Sequence, residues 1–407
     1  MLLEELVSDA VRPDGGEGAY ATSISQEQWH PASNRLAHAY RRIEALFGGR
    51  TWRERLGSVR QYYAAPDAIG AERDDIGDGQ AQAAGSIREG QDPGFVDRIA
   101  NAVTRRFRWA DGVSARLSDA YRGGMIVNFI LSSLAIVGGV AYLPLVGPSG
   151  KWGFALFELT LLCVILIITR VGQKRRWHGR WFQTRRLAEY LRHAPLMLML
   201  GVARAPGRWP RGADTSWPEF QARQAMREVG LPRAVVTASW LRAILSYQLK
   251  SHVVSQRDYH EEKARRLAAV HHNLDKMSNA LFSAAVVSVA IYLILRGLAG
   301  LDFISVEPVD HGSKIFTLLG VLLPTFGAGI AGIRYFGDFE RFAAISEVTA
   351  AKLSSIHARI ELLEHAPDSA LSYHHVAEIA HATDDIVFAE IENWQAVFGG
   401  KHMTVPV

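Results

Sequence analysis

The sequence predicts an all-α membrane protein: two transmembrane helical hairpins, four crossings in all, with long amphipathic helices on the cytosolic side. Three observations predict it. Four apolar runs, residues 125–146, 152–169, 280–295 and 315–333, each approach the roughly 20 apolar residues that cross a ~30 Å hydrocarbon layer as a helix. The runs come in pairs, the first split by Gly147-Pro148-Ser149-Gly150 and the second by residues 297–313. Charge is uneven around them. Arg170, Lys174, Arg175, Arg176, Arg180, Arg185, Arg186 and Arg192 follow the second run, and Arg105, Arg106, Arg108, Arg116 and Arg122 precede the first. The two turns carry only Lys151, Arg296 and Lys314 beside Asp302, Glu307 and Asp310. Lys and Arg accumulate on the cytoplasmic side of a bilayer, so both termini and the central segment are expected there.

Composition agrees. Of 407 residues, 48% are hydrophobic and the formal net charge is only +4, as suits a chain that is half membrane and half soluble. The one cysteine, Cys163, falls inside the second run, which excludes a disulfide framework and a cysteine zinc site within one chain. Residues 1–30 hold acids, Gly and Trp rather than a basic start and an apolar stretch, so no signal peptide is read.

Taken in order, residues 1–64 form a soluble, partly helical region. Within it Leu36, Tyr40, Ile43 and Leu46 recur at three- and four-residue steps, which is one helix face. Residues 65–95 turn to Ala, Gly, Asp and Gln and read as a flexible linker, because they cannot bury enough apolar surface to offset ordering entropy. Residues 96–202 form the first unit: a short helix over 96–121, a hairpin turning at Pro144 and Gly147, and an amphipathic helix. In that last helix Trp177, Trp181, Leu187, Tyr190 and Leu191 share a stripe. Trp177 and Trp181 are expected at the headgroups, where indole is favoured. Residues 203–277 hold a Pro/Gly/Arg-rich loop, a helix over 217–229 and a long helix over 232–277 with Leu241, Leu245, Leu249, Val253 and Tyr259 on its packed face. Residues 278–366 form the second hairpin and a projecting helix, marked by Phe342, Ile345, Val348, Leu353, Ile356, Ile360 and Leu363. Residues 367–407 form a last helix over 374–397 and an extended tail. A parallel repeat emerges: in each half a basic helix enters, a hairpin turns and an amphipathic helix leaves, the hairpins starting at residues 125 and 280.

Several residues carry functional weight. Glu158 lies within the second crossing, where an ionised carboxylate must face protein or water. With Asn128, Ser132 and Ser133 it is the expected lining of a pore, or a polar stripe between packed helices. In the fourth crossing Gly327/Ala331 and Ala328/Gly332 are small-xxx-small pairs that allow close approach, and Pro324 is expected to bend the helix. Lys174, Arg175, Arg176, Arg180, Arg185 and Arg186 are expected to bind lipid headgroups or another anionic ligand. His374, Glu378, His381 and Asp385 share a helix face, but no second Glu-x-x-His element accompanies them. A solvated face is therefore read, with no metal and no cofactor. There is no G-x-x-x-x-G-K-[ST], G-x-S-x-G or H-E-x-x-H, so no catalytic residue is assigned and the chain is read as non-enzymatic. Nucleic acid is not an expected partner, for want of a Gly-rich loop or helix-turn-helix pattern.

Two segments carry a resemblance. Residues 176–201 (RWHGRWFQTRRLAEYLRHAPLMLMLG), directly after a hairpin, are similar to the Trp/Arg/Glu-bearing helix that follows two crossings in SMODS- and SLOG-associating two-transmembrane effector (SLATT) proteins. Residues 391–407 (IENWQAVFGGKHMTVPV) resemble the ending of longer bacterial proteins in which a SLOG nucleotide-sensing domain precedes this membrane region. The resemblance spans roughly residues 100–407. It implies a membrane-perturbing or pore-forming effector of bacterial defence that answers a nucleotide-sensing partner protein; as such an effector the chain is expected to be a homo-oligomer of the inner membrane. No Rossmann-like alternation precedes residue 100, so that sensor lies on another polypeptide, is degenerate, or lies upstream. Two other functions compete: a membrane-anchored scaffold or receptor for a cytosolic protein, and a small transporter.

Overall fold

The computed structural model describes residues 38–49, 92, 94–147, 150–202, 216–233 and 235–398, with a few isolated positions beside them. Nearly all of the expected linker and of the loop after residue 202, most of the N-terminal region and nearly all of the tail lie outside the described residues. Among the described residues the fold is all-α, and four helices are long and apolar enough to cross a membrane, the pattern of a multi-pass membrane protein.

In chain order, α1 is Ala39–Gly48. α2 (Phe95–Ile99), a π-helical segment (Ala100–Thr104) and α3 (Arg105–Leu145) make one continuous rod. α4 is Lys151–Lys174, α5 Trp177–Leu200, α6 Ser216–Val229 and α7 Ala238–Ala243. A second π-helical segment (Ile244–Lys250) leads from α7 into α8 (Ser251–Gly300). α9 (Val306–Gly337), α10 (Phe339–Glu364) and α11 (Tyr373–Phe398) complete the chain.

α3 and α4 form one hairpin and α8 and α9 the other, with α3 packed on α9 between them. α4 and the outer part of α8 turn Leu159, Leu166, Ile167, Phe282, Leu293 and Ile294 outward, all well exposed in the isolated chain and suited to lipid. The first hairpin turns at Gly147, whose φ of +70° suits a residue without a Cβ.

Helix ends explain where expectation and structure part. The long helix expected from residue 232 starts at Ala238, because the Thr237 side chain caps it, accepting from the Trp240 backbone N–H at 3.2 Å. α3 runs through Pro144 to Leu145, and the turn begins only at Val146. Pro324, expected to bend the fourth crossing, lies inside the helical span of α9. The second crossing and the helix projecting from it are separated by Arg176, at φ +47°. Asp338, at φ +46°, separates α9 from α10 in the same way.

The extramembrane ends of these helices build the main core. Phe95, Ile99, Val103 and Phe107 recur every four residues and pack against Tyr190, Leu191 and Met197 of α5, Leu245 and Leu249 of the π segment, and Ile360 and Ile379 of α10 and α11. Burying each such side chain contributes about 1.5–3 kcal/mol. α6 is tied to the first rod by polar contacts: Arg98 donates to the Val229 carbonyl at 3.1 Å and Arg106 pairs with Glu228 at 2.6 Å.

Candidate functional site

A cavity of about 180 Å3 opens where α1, α3, α5, α8 and α10 converge, at the foot of the hairpins. Its walls follow from helical spacing. Asp111, Ser114, Ser118, Asp119 and Arg122 lie three, four and eleven residues apart in combinations that form one stripe of α3. Tyr259, Lys263 and Arg266 form a second stripe on α8, and Tyr40, Arg41 and Glu44 a third on α1; Trp181, Arg185 and Phe342 close the wall. Among the described residues five cationic side chains (Arg41, Arg122, Arg185, Lys263, Arg266) line it against three carboxylates (Glu44, Asp111, Asp119).

Two interactions hold the cavity together. Arg41 of α1 grips Asp119 of α3, with its Nε 2.9 and 3.0 Å from the two carboxylate oxygens. Burial nevertheless raises the Asp119 pKa, against the pull of Arg41. The Arg122 guanidinium is surrounded by rings, with centroids at 4.5 Å for Tyr40, 4.6 Å for Trp181 and 4.7 Å for Phe342. Those rings come from α1, α5 and α10, so one cation of α3 links three other helices through cation–π contact.

A buried charge network continues from the cavity into the core. Asp111 accepts from Arg185 at 3.4 Å and pairs with Arg192 at 3.5 Å; Glu189 pairs with both arginines, its Arg192 contact at 3.4 Å. Burial pushes the Glu189 carboxyl up, but Arg185 and Arg192 outweigh it and bring its pKa to about 2. Beside it His193 and His252 share a 3.0 Å hydrogen bond, and His260 lies 3.4 Å from Glu390. Burial, reinforced by Lys263, lowers His260 to about 3, and burial with His193 and Arg192 lowers His252 well below 6.5. Burial raises Glu390. Tyr259 moves against the usual trend of a phenol in protein: Lys263, then Arg185 and Arg192, lower its pKa. The cavity therefore has a positive local field, lined with Arg, Lys and Ser donors, suited to holding an anion.

The intramembrane residues expected to act together divide between two helix contacts. Asn128 is buried and its side chain donates to Thr169 Oγ1 of α4 at 3.0 Å. Ser133 turns instead to α9, 3.4 Å from the Thr325 carbonyl, and also donates to the Phe129 carbonyl at 3.0 Å. Ser132 is half-buried on the same helix. Glu158 lies against Gly139, where an added Cβ would come within 2.9 Å of its carboxylate. Gly139 is eleven residues beyond Asn128, three turns along the same face of α3 and about 16 Å away, so Asn128 and Glu158 both lie on the α3–α4 contact while Ser133 turns to α9. The small residues of α9 also divide: Gly329 and Gly332 face α3, Gly327 faces α8, and Ala328 is exposed. A Cβ at position 332 would stand 2.4 Å from the Phe129 ring. Ala331 is half-buried.

The basic cluster splits as well. Lys174, Arg175 and Arg176 are exposed at the end of α4, where headgroup contact is available, and Arg180 is half-buried. Arg185 and Arg186 turn inward, Arg185 to Asp111 and Glu189 and Arg186 to Glu219 at 3.9 Å, so a headgroup role does not fit these two. Trp181, expected at the headgroups, is 3% exposed and packs on Tyr121 and Phe182; Trp177 is half-buried. On α11, Glu378 pairs with Arg359 at 3.0 Å, and no group of three or more metal-ligating side chains occurs among the described residues.

No family model matches the chain, and no curated protein and no solved structure matches it. The site therefore rests on its own geometry. Sequence reading missed its principal members: Tyr40, Arg41, Asp111, Asp119, Arg122, Tyr259, Lys263 and Arg266. A signal was present, since Asp111 and Asp119 interrupt the apolar positions of the helix that carries Phe107, Val113 and Leu117. Acids on an inward face need partners.

Proposed function

We propose that the chain is a non-enzymatic membrane effector, a homo-oligomer of the bacterial inner membrane with its extramembrane body in the cytoplasm. A signal received by that body re-packs the hairpins and opens a path through the bilayer. The observation that carries this reading is continuity. α3 runs without a break from the cavity stripe at Asp111–Arg122 into the first hairpin, and α8 runs from Tyr259–Arg266 into the second. A displacement at the cavity thus has two rigid routes into the membrane. The positive-inside charge distribution supports the orientation. The similarity of residues 176–201 to SLATT proteins supports a place in nucleotide-signalled defence, with a sensing partner protein.

For the signal to act it must bind the open packing better than the closed one. The Asn128–Thr169 and Ser133–Thr325 contacts belong to the closed packing and must yield or exchange partners. The test is dye release from liposomes carrying the purified protein. Release that rises with protein oligomerisation, and that Glu158→Gln alters, is the expected result. Vesicles that stay intact across oligomeric states would overturn the pore and leave the scaffold reading. That second reading draws on α10, whose outer face shows Val348 at 54% and Leu362 at 74% exposure, apolar surface available to a protein partner.

A further inference from the structure

We propose that the cavity between α1, α3 and α8 is a binding site for a phosphoryl group carried by a small molecule. The chemistry of the wall points to this class. Arg41, Arg122, Lys263 and Arg266 converge from three helices, and Ser114 and Ser118 present hydroxyls one turn apart on α3. Guanidinium forks combined with hydroxyl donors match a tetrahedral group with several oxygens better than a planar carboxylate held by one arginine. The local charge has the matching sign, with five cationic side chains against three carboxylates on the wall. Space limits the rest of the ligand. About 180 Å3 is below the ~300–1,000 Å3 of pockets for drug-sized molecules, so the enclosed space fits the phosphoryl group with a small organic part. The aromatic rings are committed to Arg122, so base stacking is not part of the recognition.

The acids of the wall explain how occupancy would be felt. Asp119 holds Arg41 in the closed arrangement. A phosphoryl group competes with Asp119 for that arginine and loosens α1 from α3. This deepens the effector reading and rests on it for the consequence of binding; the binding itself is measured without reference to permeability.

Two sources share this chemistry: a free phosphorylated metabolite and the phosphate of an anionic lipid, since Arg122 lies at the start of the first apolar run. Isothermal titration of the full chain in neutral phosphatidylcholine nanodiscs with pyrophosphate, ribose 5-phosphate and ribose tests the first. Nanodiscs doped with phosphatidic acid, read by tryptophan fluorescence, test the second. The expected result is saturable binding of a phosphoryl compound but not of ribose, weakened about tenfold or more by Lys263→Met or Arg266→Met and unchanged by Lys352→Met at an exposed position of α10. Unfolding temperatures equal to the parent's verify that the variants fold, and Ser118→Ala serves where a charge variant does not. A response to phosphatidic acid alone, lost in the same variants, assigns the lipid source. No binding in either arm, or binding that the cavity variants leave unchanged, overturns the proposal.

Discussion

In the first half of the chain a π-helical segment, Ala100–Thr104, opens into α3; α4 returns, Arg176 turns left-handed, and α5 leaves. The second half repeats each step, with Ile244–Lys250 opening into α8, α9 returning, Asp338 turning left-handed and α10 leaving. Even the hydrogen bond at the turn recurs: the carbonyl of Arg176 accepts from Arg180 N–H and that of Asp338 from Phe342 N–H, each at 3.0 Å. What differs is the cover. α5 is buried over most of its length, beneath α6, α11 and the second π segment, and it carries the charge network. α10 buries one face only. The cavity lies where the covered helix of one half meets the long helix of the other. A repeated skeleton thus becomes asymmetric through the segments laid over it, and the polar site sits on the seam.

The seam is broken most severely at Arg122, which joins rings from both halves. Arg122→Ala removes a guanidinium from three aromatic faces and is expected to destabilise by about 3 kcal/mol, read as a lowered unfolding temperature in detergent. Next comes the contact between halves inside the membrane. Gly332→Ala forces the Phe129 ring aside and is expected to cost about 1–3 kcal/mol. Gly327→Ala, whose Cβ would meet the Ser278 carbonyl at 3.4 Å within one half, should cost less. If the two variants unfold alike, the α3–α9 contact is not the tighter one.

Acidification bears on the buried charge network, where α8 sets two histidines against α5 and α11. His260, at about 3, and His252 are depressed below 6.5, so the unfolded chain binds more protons than the folded one beneath that value. Their stability contribution is complete above 6.5 and is lost as pH falls toward about 3 for His260, with a slope of about 1.4 kcal/mol per pH unit for each histidine. Glu390, raised by burial, acts in the opposite sense and moderates the slope. Unfolding temperature should therefore fall between about pH 7 and pH 5, and His260→Gln should flatten the fall. An unchanged profile in that variant would remove His260 from the account. The smallest effect is expected inside the first hairpin, where Asn128→Ala deletes the bond to Thr169 and should cost about 0.6 kcal/mol, typical of hydrogen bonds between membrane helices.

The skeleton was legible because it is written in periodicity. The four apolar runs, the amphipathic faces of α5 and α10 and the start of α6 all follow from side chains recurring at three and four residues. The two left-handed turns were not legible, since neither Arg176 nor Asp338 is a glycine and each breaks a pattern that is helical on both sides. The site escaped for a different reason. Periodicity sorts charges to the surface, whereas Asp111 and Arg185 are 74 residues apart, and Arg41 and Asp119 are 78 apart, and meet only through the packing of three helices. Glu158 attracted attention as an acid in an apolar run, yet the denser polar chemistry lies outside the membrane.

The central claim is that an event at the cavity reaches the hairpins along α3 and α8. It is tested most directly by pulsed electron–electron resonance between spin labels at the two hairpin tips, Lys151→Cys and Asp302→Cys, in a Cys163→Ser background. The comparison is between Asp119 and Asp119→Asn, which weakens the Arg41 grip without touching the membrane segments. The account predicts a shifted or broadened tip-to-tip distance distribution in the Asp119→Asn protein. An identical distribution, in a protein that unfolds at the same temperature, would contradict it.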